Sequence, residues 1–300
     1  MPNDELYVDF SELNSILNLE ESIYSPTYNV KRENYISEHE IEAFEKMKSR
    51  LTSEESLVNF YRNVCQDNRK PDLLGKTIEA TEKQFKKLYN IVDELSKILN
   101  IVRPRVFVYE DLCYRADVDG YDNPWIEVSS KLIQDFTEEE LRFVIGKLLA
   151  SIQSKHYEYE AVAKAFNDVT EYINMIPVVN VVNSIHLIDS YKLNLMPILN
   201  CWRRCANYST DACGLLLSGS FKASVNAILK QILNNSVLVS EVNIKDYISK
   251  AVEIEALTGK MVEYSKLDEA VPYGQYRILE LLRYSGSRRC KKALLELSRR

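Results

Sequence analysis

Glycine and proline are scarce in this chain, with eight of each in 300 residues. With Leu, Ile, Lys, Glu and Ala abundant, that scarcity favours a mostly helical protein with few tight β-turns. Long apolar runs are missing as well. The most hydrophobic stretch, "MIPVVNVVNSIHLI" from Met175 to Ile188, carries two Asn, a Ser and a His. It falls short of the roughly twenty apolar residues that cross a bilayer, so it reads as a buried or interfacial segment and no transmembrane segment is expected. The first thirty residues have neither the basic n-region nor the apolar h-region of a secretory signal, which predicts a cytoplasmic protein. Its six Cys are then expected as free thiols rather than a disulfide framework. No excess of positive charge exists: the net charge of −6 leaves no general nucleic-acid footprint. Histidine is rare too. His39, His156 and His186 form no pair at metal-ligand spacing, and packing or surface roles are expected for them.

What is present is ample for a core, with 46% hydrophobic and 27% charged residues. Residues 1–37 are acidic and weakly periodic and read as an N-terminal arm; 38–300 read as a single domain. Ile41, Phe44 and Met47, then Leu57, Phe60 and Tyr61, recur at helical spacing. A clear amphipathic stripe follows at Phe85, Leu88, Ile91, Val92, Leu95 and Ile98, with Pro104 as its stop. The period then shortens to two in "RVFVYED" and, after the turn "VDGYDN", a short apolar run appears in "NPWIEVSSKLI". A sheet of about three strands is expected. Thr137 and Glu140 stand at capping-box spacing before a long periodic segment reaching Ile173, broken at most once. A further helix is expected to end near Gly219. The tail holds Arg283, Arg288, Arg289, Lys291, Lys292, Arg299 and Arg300 against Glu296, and reads as the solvated face of a last helix with Leu294, Leu295 and Leu297 inward. The fold class is therefore α+β, mostly α with a small sheet.

Two helices carry a resemblance. "FTEEELRFVIGKLLASIQSKH" and "CWRRCANYSTDACGLLL", preceded by "NPWIEVSSKL" and followed by "VPYGQYRILELL", resemble elements of the HtpX-like and CAAX-prenyl-protease family of zinc metallopeptidases, soluble bacterial members in particular. The matches include Thr137, Leu141, Ile145, His156, Trp202, Arg204, Asp211, Gly214, Pro272 and Arg277, and the likeness runs from about residue 85 to 220. It implies a zincin-like fold with a central long helix. In that family an H-E-x-x-H helix and a later Glu hold zinc, and the intervening Glu activates the bound water.

At the matching positions this chain has Lys147, Leu148, Ser151 and Asn207. A cation, an aliphatic side chain and two neutral oxygens make a poor divalent-metal site. The expectation is a pseudopeptidase, not an enzyme, without cofactor, that binds a peptide or protein, an active homologous metallopeptidase among the possibilities. Alternatives are an active peptidase or other hydrolase with a non-canonical site, and a scaffold docking through the acidic arm and basic tail. Lys147 and Ser151 stand at i, i+4, a spacing open to a Ser-Lys dyad but common by chance. Lys147 is also expected to approach Asp211, its ammonium replacing the charge of a metal. Trp125 and Ile126, in "PWIEVSS", are the expected peptide-binding edge strand. Cys201, Cys205 and Cys213 lie close enough in sequence to consider a metal, although a fourth ligand is not evident.

Overall fold

The computed structural model describes residues 29–49, 66–161, 163–164, 181–257 and 269–298. Helices α1 (Glu38–Lys48) and α2 (Asp67–Lys76) precede the short strand β1 (Ile78–Glu79) and helix α3 (Lys86–Ile98). Strands β2 (Val106–Tyr109), β3 (Ala116–Asp119) and β4 (Trp125–Ser129) follow, then the short α4 (Ser130–Asp135) and α5 (Glu138–Gln153). The chain is helical again at 156–161, and the rest consists of α6 (Val181–Ser218), α7 (Phe221–Leu233), α8 (Ile244–Ala256), α9 (Gly274–Gly286) and α10 (Arg288–Ser298).

The four strands form one mixed sheet in the order β1-β2-β4-β3, with β2 and β4 parallel and the outer pairs antiparallel. Alternation sorts its side chains. Val106, Val108, Ile126 and Val128 join the main core against α3, α5 and α6, whereas Phe107 and Trp125 pack on Leu73 of α2 across the other face. Such two-sided cover explains why β4 is buried at every position. Gly120, just after β3, has φ of +86° and lies where any Cβ would strike the Trp125 ring, so only glycine turns the chain there.

Helix α5 begins as its sequence indicates. The Thr137 hydroxyl accepts from the Glu140 N–H at 3.3 Å and the Glu140 carboxylate accepts from the Thr137 N–H at 2.8 Å. Against it lies α6, at a crossing where Gly146 and Gly214 meet: a Cβ on Gly214 would stand 2.7 Å from the Phe143 carbonyl oxygen. That close approach sets the two helices side by side.

Several expectations change. The sheet has four strands, because Ile78–Glu79 pairs as β1 and polar "ADVD" pairs as β3 instead of ending in a turn. α3 stops at Ile98 with Asn100 in the left-handed region, well before Pro104. Phe85 is its N-cap and exposed, not part of the stripe. α5 breaks at Ser154 and Lys155, the latter at φ +59°. Ile41 and Leu295 face out, since α1 buries Glu40, Ala43 and Met47 and α10 buries Cys290, Ala293 and Leu297 instead. The boundary at residue 37 falls inside packed structure, with Val30 and Tyr35 in the core. Residues 1–28, the run at Leu57, Phe60 and Tyr61, the stretch 165–180 and Arg299–Arg300 lie outside the described residues, as do the side chains of 181–195.

Candidate functional site

Helices α5 and α6, the end of β3 and the segment before α9 enclose a cleft of about 1300 Å³. Lys147, Leu148 and Ser151 line it from α5, and Asn207 lines it from α6. One face of α5 carries the first three because i and i+4 stack along a helix; the glycine crossing brings α6 close enough to add the fourth.

The floor of the cleft is a buried three-membered charge cluster. Arg277 of α9 donates to Asp211 through Nε at 2.8 Å and Nη2 at 2.9 Å, a bidentate fork. Lys147 Nζ lies 2.5 Å from Asp211 Oδ1, the approach anticipated from the sequence, and its side chain stays 15% exposed to the cleft. Two cations share one carboxylate. Burial, then the neighbouring Arg277 guanidinium, pushes the Lys147 ammonium down to about 8. Burial also opposes the charge on Asp211, but Arg277 and Lys147 outweigh it and hold the carboxyl below its ordinary value.

The walls are charged. On β3, Asp117 faces the cleft as an exposed side chain; desolvation by the cleft walls pushes its carboxyl up, with Lys164 opposing. Arg69 of α2 bridges Asp119 at 2.9 Å and Glu127 at 2.8 Å, and Lys164 reaches Asp119 at 3.0 Å. Glu160 and Arg203 pair across the far side. Sequence reading does not reach Asp117, Glu160 or Arg203; the alternating acids of "ADVD", which overlap the expected turn "VDGYDN" at Val118 and Asp119, are the signal that a strand begins before it.

Trp125 and Ile126 do not belong here. Their strand is interior: Ile126 is fully buried in the main core, and the Trp125 indole N–H donates to Glu127 at 2.9 Å beneath α2. β3, not β4, is the terminal strand beside the cleft, so the expected edge moves one strand outward.

His156 lines the cleft just beyond α5 and is largely buried there, in the packing role that its isolation from other histidines suggests. Its Nε2 lies 2.8 Å from Glu40 of α1, and its ring stands edge-on to Trp202 at 5.4 Å. Burial would raise the Glu40 carboxyl, yet the His156 hydrogen bond and charge, aided by Arg32, hold it at about 2.

Among the described residues, no group of three or more His, Cys, Asp or Glu side chains is arranged to hold a metal ion. The cleft floor offers an ammonium and a guanidinium where a metal needs lone pairs, so its donor set does not fit the zinc that the resemblance implies. No helix among the described residues is long and apolar enough to cross a membrane.

No family model matches the chain, and no solved structure matches it. Curated proteins do. Over 100 residues the chain is 28% identical to the "Protease HtpX homolog" of Streptococcus pyogenes serotype M5 (strain Manfredo), covering 33% of this chain and 34% of that protein. The homologues of serotype M49 (strain NZ131) and serotype M3 (strain SSI-1) align with the same identity and coverage. The chain thus matches about a third of the length of these relatives. Their name corrects the expectation that the chain is no enzyme: the proteins it is similar to are named proteases. On this alignment the chain has a distant relationship to HtpX-like peptidases.

Proposed function

We propose that the cleft receives an extended polypeptide laid along β3. The observation that carries this reading is the position of that strand. It ends the sheet order, and among the described residues its outer side has no ladder partner. The register pairs Asp117 with Glu127 and Asp119 with Trp125, and Ser129 donates to the Arg115 carbonyl, which turns the backbone groups of Ala116 and Val118 outward. An added strand would take its affinity from those groups and its specificity from alternate side chains meeting Asp117, Glu160 and Arg203. A zincin-like arrangement, in which a small sheet lies beside the helix bearing the site, agrees with this use of the edge. So does the kinship to proteins named proteases, whose substrates are polypeptides.

The test is fluorescence anisotropy of the full chain with a pool of labelled ten-residue peptides, each also made with alternate backbone N-methyl groups, and mass spectrometry of the peptides after incubation. Tight binding that N-methylation weakens several-fold supports strand addition, since each lost hydrogen bond costs roughly 0.5–1.5 kcal/mol. Equal binding of both forms overturns it. Shortened peptides would add hydrolysis to binding, and a Lys147→Met variant that still cut would place the chemistry away from the cleft floor.

A further inference from the structure

Away from the cleft, α6 carries a pair of thiols on the face that packs against α1. Cys201 and Cys205 stand at i, i+4, both are partly exposed, and their side chains hydrogen-bond to each other. The groups around them are Arg204 on the same helix, which also hydrogen-bonds the Cys201 sulfur, and Lys46 on α1, with the Glu40 carboxylate nearer Cys205. The other described cysteines differ: Cys213 and Cys290 are buried, and Cys113 lies elsewhere, beside Asn234.

We propose that Cys201 and Cys205 form an oxidisable dithiol, a modification site for hydroperoxides in which Cys201 attacks and Cys205 resolves. In the first step the Cys201 thiolate sulfur bonds to the distal peroxide oxygen as the O–O bond breaks. The sulfur is oxidised to a sulfenic acid, the peroxide is reduced, and its alkoxide or hydroxide leaves and takes a proton from water. In the second step the Cys205 sulfur attacks the sulfenic sulfur and the hydroxyl leaves with the Cys205 proton as water, giving a disulfide.

The surroundings favour the first step. Arg204 and Lys46 stabilise a thiolate at Cys201, and the Cys205 thiol donates to it, so one member is ionised while the other keeps its proton. This sharing holds Cys201 down at about 6. In an intact helix the Cβ atoms of i and i+4 stand roughly 5–6 Å apart, beyond the roughly 3.5–4.5 Å that a disulfide spans, so the second step has to open the helical turn between Cys201 and Cys205 and is the slower of the two.

The experiment exposes the full chain to one equivalent of hydrogen peroxide, blocks remaining thiols with N-ethylmaleimide and maps the peptides by mass spectrometry. The expected product is a Cys201–Cys205 peptide lighter by two hydrogens. A Cys205→Ser variant should stop at a sulfenic acid on Cys201 that dimedone traps, and Cys201→Ser should give neither product. Iodoacetamide alkylation of Cys201 should rise with a midpoint near pH 6. Oxidation of Cys113 ahead of the pair, an alkylation midpoint for Cys201 at the ordinary thiol value of about 8.5, or no disulfide in the wild-type chain would each overturn the proposal.

Discussion

Asp211 is the residue on which the cleft floor depends, because a single buried carboxylate neutralises two cations. Replacing it with Asn leaves Lys147 and Arg277 buried together without a counter-charge, and about 3–5 kcal/mol of stability should be lost in chemical denaturation. Lys147 makes a different prediction. Its folded value of about 8 lies below the ordinary 10.5, so between those pH values the unfolded chain holds more protons. Stability contributed by this group therefore rises with pH across that window. Compared with Lys147→Met, the wild-type chain should gain on the order of 2–3 kcal/mol from pH 8 to pH 10.5; parallel curves would show that the amine is not strained. Glu40 runs the other way. Its folded carboxyl, at about 2, lies below the ordinary 4.5, so its contribution is complete above pH 4.5 and vanishes as pH falls toward 2. Against Glu40→Gln, the wild-type chain should lose on the order of 2–3 kcal/mol over that acid range, read from urea midpoints at each pH. Of these residues, Lys147 and Asp211 were legible from their places in the resemblance. Glu40 was not: a Glu in the acidic "EHEIE" reads as solvated surface, and it is His156, Arg32 and Ser209, none of them its sequence neighbours, that make its burial tolerable.

At the scale of elements, the strongly periodic helices were readable and the short polar ones were not. α3 and the capped start of α5 follow directly from stripe and cap, since a helix buries one face and must satisfy its first N–H groups. β3 defeats the same reasoning because its two acidic side chains are made affordable by partners far away, Arg69 and Lys164. The assignment of the edge strand failed for a related reason. Position in a sheet is decided by pairing between segments, and "PWIEVSS" gives no sign that β2 and β3 flank it. The α5–α6 crossing yields the sharpest test at this scale. Gly214→Ala would push a methyl into the Phe143 carbonyl and force the helices apart, costing about 1–3 kcal/mol in unfolding experiments. The same shift should loosen the Lys147–Asp211 pair, so any peptide binding by the cleft should weaken along with stability.

Across the whole molecule, the cleft is held from behind by parts of the chain remote in sequence. Gln153, at the end of α5, donates to the carbonyls of Val30 and Leu99, while the Tyr35 hydroxyl donates to Gln153 at 2.7 Å and lies 3.0 Å from Ser154. Tyr284 of α9 in turn donates to the Asn34 carbonyl, and Arg289 of α10 to that of Ile36. Residues 29–36 thus touch the helix that carries Lys147 and the helix that carries Arg277. A chain begun at residue 38 would be missing a keystone rather than an appendage. Two side chains would leave the core, each worth roughly 1.5–3 kcal/mol, and the ends of both site-bearing helices would lose their anchorage at once. Any factor that pulled this short segment away would therefore open the cleft from its back, without touching a residue inside it.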